Sequence, residues 1–186
     1  MFALGKRLLL LTGSPGVGKT TVLRKIVDSL RLKGFDIGGM LSQEVRHEGA
    51  RVGFEIVDLN TGAKGWLAEV TPKKGPRVGR YTVNLQDLES IGVAAIGDAV
   101  KRTDVVVIDE IGPMELYSEK FRQAVIMAAE SSKLVLAVVH ENSRVNLVAD
   151  MKAREDAELY LVTPMNREKL HLLVVAEALM FISGTK

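Results

Sequence analysis

Two stretches of this 186-residue chain hold residue types whose spacing could do chemistry. The first is Gly13, Ser14, Pro15, Gly16, Val17, Gly18, Lys19 and Thr20, which fits G-x-x-x-x-G-K-[ST] at every fixed position. Glycines in such a loop let successive backbone N–H groups turn inward around a polyphosphate. The helix that follows adds the partial positive charge of its N-terminus. Lys19 can then reach the β- and γ-phosphates, and Thr20 offers a hydroxyl to Mg²⁺. The second stretch ends the apolar run from Val105 with Asp109 and Glu110. Adjacent carboxylates there are costly unless they are paired or coordinate a metal. Asp109 is expected to share the Mg²⁺ with Thr20. Glu110, one residue further, can orient and deprotonate a water in line with the γ-phosphate, which points to hydrolysis. An ion pair with a nearby Lys or Arg is the structural alternative for Glu110. Lys19 and Glu110 are thus the expected catalytic residues, and Thr20 and Asp109 the expected metal ligands.

The elements around these residues follow from periodicity. Arg7 to Thr12 reads as a buried parallel strand, and Lys19 to Lys33 as a helix with Val22, Leu23, Ile26, Val27 and Leu30 on one face. Lys33-Gly34 supplies a helix stop, and Phe35 to Met40 a second strand. From residue 41 to about 88 the pattern turns antiparallel: Leu41 to Arg46 extended, a turn at His47 to Gly49, alternation over Val52, Phe54 and Ile56, a turn at Asn60 to Gly62, and a return over Lys64 to Val70. A short strand over Thr82 to Leu85 and a helix over Ser90 to Arg102 precede Val105 to Gly112, whose β-branched residues predict a central strand buried on both faces. Ser118 caps a helix carrying Phe121, Val125 and Ala128. The rest reads as a strand (Leu134 to Val139), a polar helix (Arg144 to Asp156), a strand (Leu159 to Val162) and a closing helix (Asn166 to Ser183). Such alternation predicts one α/β domain over residues 1–186, an open, mostly parallel sheet flanked by helices with a β-rich insertion at 41–88. Ligands bind such sheets beyond the carboxyl ends of the strands. Here those ends are the Gly13–Thr20 loop, Asp109-Glu110, His140 and the Thr163 to Arg167 loop.

With 47% hydrophobic and 26% charged residues the chain has the composition of an ordinary globular protein. A net charge of +2 gives no electrostatic case for a nucleic-acid partner. The absence of cysteine excludes disulfides and thiolate metal sites. The N-terminal MFALGKR is too short for a signal peptide, and Leu170 to Ile182 is interrupted by His171 and Glu177, so no membrane span and a cytoplasmic setting are expected. No oligomeric state is set by the sequence.

Three stretches together resemble the P-loop nucleoside-triphosphatase family first associated with thermophiles, whose animal members are called cancer-related nucleoside-triphosphatase: GSPGVGKTT at Gly13 to Thr21, EVRHEGARVGFEIVDL at Glu44 to Leu59, and VVVIDEIGPMEL at Val105 to Leu116. Asn166-Arg167 after the last strand also fits. The resemblance implies a RecA-like fold with an extra strand between the two that bear the loop and the Asp-Glu pair. It implies hydrolysis of ATP, GTP, CTP and UTP or TTP with little base preference. It also places nucleotide-binding segments at Gly13 to Thr20 and at Val105, Val106, Val107, Ile108, Asp109, Glu110, Ile111 and Gly112.

Other residues remain open at this level. His140 could sense the γ-phosphate or make a structural hydrogen bond. His47 and His171 read as bystanders. Arg46, Arg51, Arg144 and Arg167 are all candidates for a charge-neutralising arginine. Asn166 and Arg167 lie where this fold meets base or ribose, with a surface role the alternative. Trp66 could stack on a base or fill a core edge. The basic run Pro72 to Arg80 is a solvated loop or a flap. A kinase would need an acceptor pocket and a lid, for which 72–80 is the one candidate stretch. A nucleotide-dependent switch would use 41–88 as its effector surface.

Overall fold

Four successive leucines set the layers. In β1 (Leu8–Thr12), Leu8 and Leu10 face one core while Leu9 and Leu11 face the other. A strand apolar on both sides must lie between two layers of helices. A computed structural model describes residues 5–71, 74–141 and 145–184. After β1 come α1 (Lys19–Arg31), β2 (Ile37–His47), β3 (Ala50–Asp58), β4 (Lys64–Glu69), β5 (Arg77–Val78) and β6 (Tyr81–Val83). They are followed by α2 (Leu85–Asp87), a π-helical segment (Leu88–Val93) and α3 (Ala94–Arg102). Then come β7 (Val105–Ile111), a 3-10 turn (Glu115–Tyr117), α4 (Glu119–Glu130), β8 (Leu134–Val139), α5 (Asn146–Ala153), β9 (Ala157–Leu161) and α6 (Leu170–Gly184).

The strands form one nine-stranded sheet in the order β5-β6-β4-β3-β2-β7-β8-β1-β9. From β2 to β9 every neighbouring pair is parallel, and from β2 outward to β5 every pair is antiparallel. β8 lies between β1 and β7, the extra strand the resemblance implies. One core packs α3, α4 and α5 on the sheet through residues such as Ile96, Phe121, Val125 and Met151. The opposite core packs α1 and α6, and the five apolar residues expected on the α1 face are all buried in it. Burial of side chains of that size stabilises by about 1.5–3 kcal/mol each.

The structure departs from expectation in the insertion. Phe35 to Met40 and Leu41 to Arg46 are not separate: β2 is one strand that pairs with β7 through Ile37–Met40 and then with β3 through Met40–His47. The short strand ends at Val83 because the Asn84 side chain accepts the Asp87 N–H and starts a helix five residues earlier than the apolar period suggested. Over its described part the basic run is mostly exposed loop and turn, interrupted by a two-residue strand. Arg77 and Val78 pair with Tyr81 and Thr82 as the edge strand β5, and Tyr117 donates its hydroxyl to the Arg77 carbonyl at 3.4 Å. Pro72 and Lys73 lie outside the described residues. The closing helix begins at Leu170 rather than Asn166, with turns from Pro164 to Lys169. Among the described residues no helix is long and apolar enough to cross a membrane.

Candidate active site

The Gly13–Thr20 loop bridges the end of β1 and the start of α1. Gly13 sits at φ 145°, and a Cβ there would lie 2.6 Å from the Val162 carbonyl oxygen, so no side chain fits. Gly16 and Gly18 hold φ of 76° and 107°, the left-handed region glycine tolerates. Ser14, Pro15 and Gly16 are exposed at the crest, with Val17, Gly18, Lys19 and Thr20 half-buried behind them. Among the described residues nothing caps the N-terminus of α1 with a side chain, and its first turn has no acidic residue. Its first N–H groups are therefore available to an anion. Lys19 folds back, donating to the Gly13 carbonyl at 2.9 Å and the Ser14 carbonyl at 3.3 Å. Those weak bonds hold the ammonium at the centre of the loop, where phosphate would replace them.

Facing the loop across the crevice is the end of β7. Val105, Val106, Val107 and Ile108 are wholly buried, alternating between the two cores, and Ile111 is buried as well. The apolar part of the Val105 to Gly112 segment, where the resemblance places nucleotide contacts, anchors the strand in the sheet. Asp109 is fully buried, and Thr20 donates its hydroxyl to Asp109 Oδ1 at 3.3 Å. Asp109 Oδ2 has no hydrogen-bond partner among the described residues. Burial pushes the Asp109 carboxyl up to about 7, the Thr20 hydrogen bond opposing and the neighbouring Glu110 charge adding to it. The peptide bond between Asp109 and Glu110 is cis. A buried carboxylate with an orphaned oxygen beside a threonine hydroxyl fits one divalent cation that takes its remaining oxygens from phosphate and water. Among the described residues no cluster of three or more His, Cys, Asp or Glu could hold a metal ion alone.

Glu115 went unnoticed in the sequence. It is 4% exposed, and it accepts the Gly112 N–H at 3.2 Å. A Cβ on Gly112 would stand 3.2 Å from both Glu110 Oε1 and Glu115 Oε2, so glycine leaves room for two carboxyl groups on one side of the chain. Burial, then the Glu110 charge, raises the Glu115 carboxyl to about 8. No local signal marks it: Tyr117 in the same 3-10 turn is half exposed, and only tertiary packing buries Glu115. Arg24 was also missed. It lies on α1 four residues beyond Thr20, so on the same face; its charge favours ionised Asp109, and it donates to Gln43 Oε1 at 3.4 Å.

Of the candidate arginines, Arg167 is the one brought against the loop, donating to the Val17 carbonyl at 3.3 Å. Arg51 is held by the Tyr81 hydroxyl (2.9 Å) and Glu44 (2.9 Å), and Arg46 by Glu44, in the β2–β3 hairpin. Arg144 lies outside the described residues. Asn166 is structural: its Oδ1 accepts the Thr163 N–H and its Nδ2 donates to the Leu161 carbonyl, each at 2.8 Å. His140 follows β8, its backbone N–H donating to the Ile111 carbonyl at 3.3 Å; Nδ1 is buried and has no partner among the described residues. Glu141 accepts the Ser14 hydroxyl at 3.4 Å. His47 pairs with Ala50 at the hairpin turn, and His171 lies on α6. Trp66 lies over Gly53, where a Cβ would meet its ring at 2.8 Å, so it packs the β3–β4 face.

Comparison with known proteins agrees with this geometry. A family model described as NTPase matches residues 8–175. The nucleoside-triphosphatase THEP1 of Thermofilum pendens is 51% identical over 162 residues, 87% of this chain and 89% of that protein. The nucleoside-triphosphatase THEP1 of Methanopyrus kandleri is 47% identical over 163 residues, again 87% and 89%. The crystal structure of THEP1 from Aquifex aeolicus superposes with a TM-score of 0.81 at 31% identity, covering 91% of this chain and 97% of that one. The solution structure of a human cancer-related nucleoside triphosphatase gives 0.78 at 34% identity, covering 91% and 96%.

Proposed function

This chain belongs to the NTPase family, and from that premise we propose that it is a Mg²⁺-dependent nucleoside-triphosphatase of low base selectivity. It releases phosphate from ATP, GTP, CTP and UTP or TTP, in the cytoplasm, as one P-loop domain over residues 1–186. The observation that carries the reading is the Thr20 hydroxyl 3.3 Å from a buried Asp109 whose second oxygen is orphaned, with Glu110 next in the chain. Thr20 and Asp109 would hold Mg²⁺, which supplies charge neutralisation at the β- and γ-phosphate oxygens.

The chain's own residues do the rest. Amides of Gly16 to Thr20 and the α1 N-terminus bind the phosphates. The Lys19 ammonium leaves the Gly13 and Ser14 carbonyls for the phosphate oxygens and neutralises charge that grows in the transition state. Glu110 accepts a proton from the attacking water while the bond to the leaving diphosphate breaks, giving diphosphate and inorganic phosphate. Glu115, whose carboxyl burial pushes up, accepts the Gly112 N–H beside Glu110.

Released phosphate, scored with each triphosphate and no acceptor, with and without Mg²⁺, tests the reading. The four common ribonucleotides should agree in kcat/KM within about tenfold, roughly 1.4 kcal/mol. Diphosphate formed only when an acceptor is added, with the phosphoryl group on the acceptor and no phosphate released, would instead identify a kinase. A thousandfold preference for one base would remove the claim of low selectivity.

A further inference from the structure

The closing helix lacks the charged solvent face that its neighbours have. α1 turns Arg24, Asp28 and Arg31 outward, and α4 turns Glu119, Lys120, Gln123 and Glu130 outward. In α6, Leu170, Val174, Val175 and Ala178 are buried in the core shared with α1. The opposite arc is Leu172, Leu173, Ala176 and Met180, with the two leucines and the methionine 61%, 59% and 56% exposed. Glu177 is the one charged side chain of the helix; it is half-buried and accepts the Lys6 backbone N–H at 2.8 Å. A helix apolar on every side belongs inside a protein. Among the described residues nothing covers this arc.

The arc is complementary to itself. Leu172, Ala176 and Met180 follow one another at i+4 spacing and form a single ridge along α6. The small residue is at the centre, with a large side chain one turn away on either side. A two-fold axis across the helix at Ala176 lets two helices approach closely there. It sets Leu172 of each copy against Met180 of the other, as an isologous contact requires. No charge on the ridge meets its own copy, so self-pairing carries no like-charge penalty. The size also fits. The arc leaves on the order of 400 Å² of apolar surface in water. A stable interface takes about 800 Å² from each partner, somewhat over half of it apolar. A lipid surface does not match, because an interfacial helix carries Lys or Arg on a polar face and α6 has neither.

We propose that the outer arc of α6 is the interface of a symmetric homodimer, in which the α6 helices of two copies cross antiparallel at Ala176. Leu172 and Met180 fill the space on both sides of the crossing, and Leu173 flanks it. The occupant of the arc is a second copy of this chain. The proposal is independent of the hydrolase reading, since none of these residues belongs to the phosphate or carboxylate sides of the crevice.

Sedimentation velocity of the full chain at about 1 to 100 μM brackets a micromolar dissociation constant. The 20.3 kDa chain should reach the mass of a dimer at the upper end. Ala176→Glu and Ala176→Lys each place a charge against its own copy, so association of either variant alone should weaken by about 100-fold or more. Both substitutions are good helix formers at an exposed position, and far-ultraviolet circular dichroism should show the fold unchanged. An equimolar mixture of the two variants should recover the dimer, now as a mixed pair. Leu172→Lys and Met180→Glu should each dissociate it, and the double variant, whose opposite charges face one another across the axis, should dimerise again. A wild type that stays monomeric at the highest concentration would overturn the proposal and leave the arc to a different partner. A dimer that survives both Ala176 variants would place the interface elsewhere and overturn it as well. Failure of the mixture or of the double variant to restore association would overturn the antiparallel two-fold.

Discussion

On the β1 side of the crevice the ligand-facing groups are backbone amides and one half-exposed lysine, whose ammonium is already bonded to carbonyls of its own loop. On the β7 side they are carboxyl groups, with Asp109 and Glu115 buried and raised to about 7 and 8. The first side costs the fold little, since water or phosphate can satisfy it equally. The second side buries carboxyl groups whose ionised form the fold disfavours, a cost that a cation at Asp109 would relieve. Function and stability should therefore separate differently on the two sides.

Lys19→Ala is the largest test of the first side. Turnover should fall by about 10³-fold or more, because charge neutralisation in the transition state is lost, while the melting temperature without ligand stays within about 2 °C, as for other surface substitutions. Unchanged hydrolysis would remove the lysine from the mechanism. Glu110→Gln should lower kcat by about 10²–10⁴, the usual worth of a general base, with Mg²⁺ and triphosphate still raising the melting temperature by mass action. More than a tenth of wild-type kcat would shift water activation to His140 or Glu141.

Asp109→Asn should act on affinity as well as rate. The gain in melting temperature from Mg²⁺–triphosphate should shrink sharply, since a metal ligand is gone. Equal metal-dependent stabilisation in this variant and the wild type would mean that Asp109 is not a ligand.

Glu115→Gln gives the most diagnostic change, in stability alone. An unfolded Glu115 ionises near 4.5 and the folded one near 8. Between those values the unfolded chain has lost a proton that the folded chain keeps, so wild-type stability falls as pH rises through this window and levels off above 8. Gln keeps an acceptor for the Gly112 N–H and has no proton to lose. The melting temperature of the variant should match the wild type near pH 4.5 and exceed it increasingly toward pH 8, by about 2–4 °C per kcal/mol recovered. A constant difference across that range would mean that Glu115 is not held protonated. Such a result would also erase the contrast between the two sides.

Much of this was legible in the sequence where one interaction dominates. Leu134–Val139 is an apolar run with no alternative but a buried strand, and Ser118 caps α4 through the Phe121 N–H as a serine before such a helix should. The loop motif and the carboxylate pair were equally plain. What escaped depends on tertiary contact. Nothing local tells Met40 and Leu41 that β2 continues without a break, because its neighbours change from β7 to β3 at that point. Arg77 and Val78 make a strand only because β6 is beside them. Glu115 is polar in sequence and buried in space, and its role follows from the packing that encloses it.

The position of β1 has a consequence for the order of assembly. Leu8 lies opposite both Val135 and Ala157, so the strand that carries the loop joins the sheet between two strands made much later. During synthesis the motif emerges before β8 and β9, the two strands that flank β1 in the sheet. Leu8 to Leu11 meanwhile lack the partners they pair with on both edges of β1. Closing such distant pairings makes the last sheet contacts slow compared with the β2–β3 hairpin, whose partners are adjacent. A nascent chain stopped before Leu134 would hold every glycine of the loop and neither of the strands that flank β1.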